Sequence, residues 1–128
     1  MRSWSFWVGV VATGLAGSPA LAAPRGADWS AQSDEFFRFL GLSVASAGDL
    51  NGDGYDDLVV GAPGSVAPNT LGLVQVYFGS AVGPSATPSW TGVASQVGDD
   101  YGAAVASAGD VNGDGYDDLI VGAFGHQH

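Results

Sequence analysis

Asp49-Leu-Asn-Gly-Asp-Gly-Tyr-Asp-Asp-Leu58 recurs 61 residues later (110 − 49) as Asp110-Val-Asn-Gly-Asp-Gly-Tyr-Asp-Asp-Leu119. The echo continues on both sides of these loops: Gly41 to Gly64 laid on Gly102 to Gly125 gives 19 identities in 24 positions. Duplication this close marks one supersecondary unit copied in tandem, which predicts an array whose neighbouring units share a core.

Within each copy the oxygen donors alternate. Counting Asp49 as position 1, they fall at Asp49, Asn51, Asp53, the carbonyl of Tyr55 and Asp57, which are positions 1, 3, 5, 7 and 9; the second copy supplies Asp110, Asn112, Asp114, the carbonyl of Tyr116 and Asp118. Hard oxygen donors on alternate positions of a tight loop suit Ca²⁺, which accepts about six to eight oxygens in flexible geometry. Mg²⁺ fits less well because it holds to strict octahedra and retains water. Gly54 permits the sharp turn that aims the next carbonyl inward. A turn alone needs two or three such residues, and converging carboxylates repel one another unless a cation lies between them. Asp56 and Asp117, at position 8, are expected to point outward and add field without coordinating; the Tyr55 and Tyr116 side chains read as packing or rim groups.

The loop opens like an EF-hand but does not continue as one. An EF-hand needs a bidentate Glu at position 12 and flanking helices; that position holds Val60 in one copy and Val121 in the other. Leu58-Val59-Val60 and Leu119-Ile120-Val121 favour strands, so each loop is expected inside a hairpin. Duplicated loops between helices are excluded on the same grounds.

From Phe36 onward short apolar runs alternate with turn signals and no helical period is present, which predicts an all-β fold. Expected strands are Leu42 to Ala47 before the first loop, Leu58 to Gly61 after it, Leu71 to Phe78, a short outer strand in Ser89 to Ala94, and Leu119 to Gly122 after the second loop. Pro63 and Pro68 cannot donate to a central ladder. One repeat is thus about four strands. A four-stranded unit with a period of 61 residues suggests a β-propeller blade, and a solenoid fits less well because its repeats are usually shorter. The chain holds about one and a half units, the second lacking its third and fourth strands.

Residues 1–22 read as a secretory signal: Arg2 supplies the positive region, Phe6 to Ala16 an apolar stretch too short to span a bilayer, and Ala20-Leu21-Ala22 a small-residue cleavage site. Export is the expected consequence, to a secreted or cell-surface location, with no membrane span after cleavage. Residues 23–35 read as a linker, 36–97 as the first repeat and 98–128 as a truncated second. The chain has no cysteine, which excludes disulfide staples and a lipid attached at the cleavage site. Beyond residue 22 there are two arginines, no lysine and all thirteen acids, eight of them in the two loops. That charge excludes ordinary nucleic-acid binding, which needs a basic footprint, and its concentration points to cation ligation. Catalysis has little to draw on: no Cys, no Lys, and His126 and His128 only at the terminus.

The same residues resemble the FG-GAP repeats of integrin α-subunit β-propellers and their bacterial relatives. The matching features are Gly41 and Tyr101-Gly102 at the FG position, Ala47-Gly48-Asp49 and Ala108-Gly109-Asp110, both loops, Gly61-Ala62-Pro63 for GAP, and Gly72 to Gly79 for the following strand. Leu40 replaces the aromatic before Gly41, and Phe124 replaces proline in the second GAP. The resemblance implies a partial β-propeller of about one and a half four-stranded FG-GAP blades with calcium loops in hairpins. It also implies a non-enzymatic, secreted, calcium-binding module for cell adhesion or for binding a protein or carbohydrate. Alternatives are the non-catalytic repeat region of a larger secreted enzyme and a structural surface protein. The family closes a ring of about seven blades, so one and a half imply a fragment of a longer protein, self-assembly of short chains, or a degenerate product; stopping inside a repeat favours the fragment.

Overall fold

The computed structural model describes residues 7–10, 29–32, 39–64 and 69–125. Among them there are eight strands and no helix, in three antiparallel sheets. β1 (Trp7–Val10) pairs with β2 (Trp29–Gln32), Val10 lying opposite Trp29. Then β3 (Ser43–Gly48), β4 (Asp57–Ala62), β5 (Leu73–Tyr77) and β6 (Trp90–Val93) form a four-stranded meander in sequence order. β7 (Ala104–Gly109) and β8 (Asp118–Gly122) form a second hairpin, the copy of β3 and β4.

The expected all-β class holds, and the meander is consistent with part of a propeller. The five strands anticipated at Leu42, Leu58, Leu71, Ser89 and Leu119 are all present with ends within two residues of those expected. Two elements depart from expectation, the first being Trp7–Val10, a strand within the stretch read as leader. Trp29–Gln32, read as linker, is a strand, and Trp29 is anchored on the meander. Its indole N–H donates to the Ser85 carbonyl at 2.9 Å, and its ring meets Tyr77 edge-on with centroids 4.7 Å apart. The expected leader lies outside the described residues except for Trp7–Val10, as do His126 and His128.

β4 reads Asp-Leu-Val-Val-Gly-Ala with no polar alternation because both faces of the meander are covered. On one face Leu40, Val60, Ala62, Leu73 and Tyr77 cluster with the half-buried Trp29, Ala31 and Leu58. On the other, Ala47, Val59, Val74 and Val76 receive Tyr101, Val105, Leu119 and Val121 from the second copy. A continuous apolar run is the pattern of a strand buried on both sides. Leu40, which stands where the family has an aromatic, is 4% exposed and fills that place in the first cluster.

The two copies repeat each other's details. The Gly41 N–H donates to the Gly61 carbonyl at 2.9 Å, and the Gly102 N–H to the Gly122 carbonyl at 3.0 Å. β3 and β7 each carry a bulge just before the loop, between Ser46 and Gly48 and between Ser107 and Gly109. They are also joined directly: the Ser43 hydroxyl donates to the Gly102 carbonyl at 2.7 Å. An apolar cleft of about 460 Å³ opens where they diverge, between Val76, Phe78 and Trp90 on one side and Tyr101, Leu119 and Val121 on the other.

Candidate cation-binding loops

Each loop is the turn of a hairpin, between β3 and β4 and between β7 and β8, as the strand-forming residues after it require. Its shape is set by the aspartate at position 1. Asp49 Oδ1 accepts the N–H groups of Gly52 at 2.7 Å and Asp53 at 3.1 Å, and Oδ2 accepts that of Gly54 at 2.8 Å. Asn51 Oδ1 accepts the Asp53 N–H at 3.2 Å, and Asp53 Oδ1 accepts the Tyr55 N–H at 3.0 Å. The Asn51 side-chain N–H donates to Asp53 Oδ2 at 3.1 Å, tying positions 3 and 5 together.

The second loop reproduces every bond of this set. Asp110 takes Gly113, Asp114 and Gly115 at 2.7, 3.0 and 2.8 Å; Asn112 takes Asp114; and Asp114 takes Tyr116. Two short loops with the same ten-residue chemistry thus adopt the same nest of amides around the first carboxylate. The Gly115 N–H is the main cause that holds the Asp110 carboxyl below its ordinary value; desolvation opposes it, and the Asp114 and Gly113 N–H groups add to the lowering. The group is therefore a carboxylate through the neutral range.

Asp57, expected as the ninth-position ligand, is 2% exposed and clamps the loop to its surroundings. Its Oδ2 accepts the Leu50 N–H at 2.8 Å and its Oδ1 the Gly79 N–H at 2.9 Å, beyond the end of β5. Asp118 makes the first of these bonds, to the Val111 N–H at 2.9 Å. The counterpart of Gly79 would be position 140 (79 + 61), outside the 128 residues. Among the described residues no three carboxylate or imidazole side chains stand together as a ready metal cluster. By donor chemistry the residues nevertheless fit a hard cation. Asp49, Asn51, Asp53, the Tyr55 carbonyl and Asp57 offer only oxygen, and no lysine or arginine lies within either loop to neutralise them. A bound divalent ion would supply the positive charge that screens these carboxylates from one another.

The position-8 aspartates are not alike. Asp56 is exposed, as expected. Asp117 is not outward-facing: its Oδ2 accepts the Asp49 N–H at 2.8 Å, and its own N–H donates to the Asp49 carbonyl at 3.0 Å. Tyr116 lies beside it over the first loop, where a Cβ added to Gly52 would stand 2.6 Å from the ring. These cross-loop contacts escape single-sequence reading because spacing describes one loop and not which loop sits beside it. The signal was the unexplained duplication of an acid outside the ligand series.

The family model for the FG-GAP repeat matches residues 40–77 and 101–126, both loops included. The chain is 45% identical over 95 residues to integrin alpha pat-2 of Caenorhabditis briggsae, an alignment covering 71% of this chain and 8% of that protein. It is 40% identical over 97 residues to integrin alpha-V of Gallus gallus, covering 71% and 9%. Against human integrin alpha-7 the identity is 35% over 118 residues, covering 91% and 8%. The chain thus spans less than a tenth of the length of these curated relatives. With 64 of its 128 residues matched (38 + 26) and both loops among them, the chain belongs to the FG-GAP repeat family.

Proposed function

We propose that this chain is a calcium-binding FG-GAP module, a piece of an integrin α-like β-propeller, exported and used in adhesion or in binding a protein or carbohydrate. The observation that carries the reading is the identical construction of the two loops, in which an aspartate at position 1 gathers three amides and positions 3 and 5 are tied together. A carboxylate oxygen has two lone pairs, so Asp49 Oδ2 and Asp110 Oδ2, which each accept one amide, can still coordinate an ion. The ligands are Asp49, Asn51, Asp53, the Tyr55 carbonyl and Asp57 in the first loop. In the second they are Asp110, Asn112, Asp114, the Tyr116 carbonyl and Asp118.

Domain limits follow the same reading: leader 1–22, a connecting segment to residue 35 that includes the docked strand β2, a first repeat at 36–97 and a second at 98–128. The four-stranded meander is one blade and the β7–β8 hairpin the start of the next. The free edge of β8 and the cleft beside Leu119 and Val121 are surfaces that further strands of the same kind would cover. No helix among the described residues is long and apolar enough to cross a membrane. No catalytic role is assigned.

Extracellular calcium modules bind with dissociation constants of about 10⁻⁴ to 10⁻³ M. At roughly millimolar calcium each occupied loop then adds on the order of 0.4 to 1.4 kcal/mol of stability. Calorimetric titration should give about two ions per chain in this affinity range, with one lost in Asp53→Ala and the other in Asp114→Ala. Titration without heat and without a rise in melting temperature would overturn the reading.

A further inference from the structure

We propose that Asp117 is a positioning residue for the first loop. Supplied by the second repeat, it holds the backbone of Asp49, so that cation binding by Asp49 to Asp57 depends on the docking of Asp110 to Asp118. The inference rests on reading these loops as cation sites, and goes beyond it by making the first site depend on the second repeat.

The chain of contacts is short. Asp117 holds residue 49 at both its N–H and its carbonyl, at 2.8 and 3.0 Å. Asp49 in turn uses both carboxylate oxygens to fold Gly52, Asp53 and Gly54 around itself. Fixing the backbone at residue 49 therefore fixes the donor from which the rest of the loop is hung. Tyr116 covers Gly52 on the same side. A donor held in place before binding loses less freedom when the ion arrives, which raises affinity.

Among the described residues the second loop has no equivalent neighbour. Beside Gly109 and Gly113, the counterparts of Gly48 and Gly52, there is open space where the first loop meets Asp117 and Tyr116. Asp110 and Asn112 are exposed where Asp49 and Asn51 are half-buried. The position-8 aspartate of the second repeat thus serves the loop of the repeat before it.

The test isolates the first site in the full chain carrying Asp114→Asn, which weakens the second site while Asn can still accept the Tyr116 N–H. In that background D117A should weaken calcium binding about three- to tenfold, the worth of one hydrogen bond. D117N keeps an acceptor for the Asp49 N–H and should stay within about twofold of the parent, as should D56A, which removes an exposed charge from the first loop itself. Binding by D117A equal to the parent would overturn the coupling and leave the cation reading standing. Equal losses in D117A, D117N and D56A would assign the effect to charge alone and also overturn it. An absence of calcium binding in the unsubstituted chain would overturn both. A second readout needs no ion: in chelator the Asp49 amide should exchange about three- to tenfold faster in D117A than in the unsubstituted chain, and equal exchange would remove the proposed restraint.

Discussion

Asp117 and Asp49 exchange two hydrogen bonds across the boundary between the repeats, the Asp49 N–H donating to the Asp117 carboxylate at 2.8 Å and the Asp117 N–H to the Asp49 carbonyl at 3.0 Å. This pair sits at the loop end of the boundary, while Tyr101, Val105, Leu119 and Val121 fill its apolar interior against Val59, Val74 and Val76. Docking of the second repeat therefore has a polar register and a hydrophobic body, and each can be perturbed separately.

The polar register is tested by a matched glycine pair. Gly48 and Gly109 hold the same place in the two repeats, with φ of +71° and +67°, but a Cβ on Gly48 would overlap the Asp117 carboxylate while one on Gly109 meets nothing. Gly109→Ala should cost about 1–2 kcal/mol, for the left-handed backbone alone. Gly48→Ala should cost about 3 kcal/mol or more, because the Asp117 bond is displaced as well. Urea denaturation of both variants checks this, and equal losses would contradict the cross-loop contact.

The hydrophobic body is tested at Val59, which is fully buried between the repeats. Val59→Ala should destabilise by roughly 2 kcal/mol through lost burial and the cavity left behind. Val111→Ala, at a side chain 71% exposed, should change stability by no more than about 0.5 kcal/mol. The same denaturation series measures both.

Trp29 is tested as an anchor. Its edge-on contact with Tyr77 and its bond to the Ser85 carbonyl tie the segment before the first repeat to the meander. Trp29→Ala should cost about 2 kcal/mol, below the usual range for a fully buried tryptophan because this one is half-buried. Trp29→Phe keeps the ring and loses the N–H, and should recover about half. A neutral Trp29→Ala would mean that β2 does not dock.

Strands were legible in the sequence wherever a run of β-formers was long enough, as in Leu58 to Gly61 and Leu119 to Gly122. The loops were legible because their oxygens recur at fixed spacing. β2 was not, because four residues, Trp-Ser-Ala-Gln, carry no alternation strong enough to outweigh the polar segment around them. Asp57 was legible as an oxygen at a spacing repeated in both copies but not as a clamp, because its partner Gly79 lies 22 residues away on another turn. Asp117 was missed for a related reason: its partner belongs to the other repeat.

Acid should leave the second loop intact well below neutrality. Amide donors hold the Asp110 carboxyl below its ordinary value, so its contribution is fully present above the unfolded value of about 3.9 and is lost as pH falls through the lower folded value. Carboxyl chemical shifts followed from pH 7 downward should show Asp110 titrating with a midpoint below about 3.9. A midpoint above that would mean that the three N–H groups do not point at it.

The cation sites are tested most directly by the anomalous scattering of crystals grown in about 10 mM calcium, well above the expected dissociation constants. One peak is expected in each loop, about 2.3–2.6 Å from oxygens of Asp49, Asn51, Asp53, the Tyr55 carbonyl and Asp57 in the first and of their counterparts in the second. Ordered loops with no peak in either would contradict the assignment of these loops as cation sites.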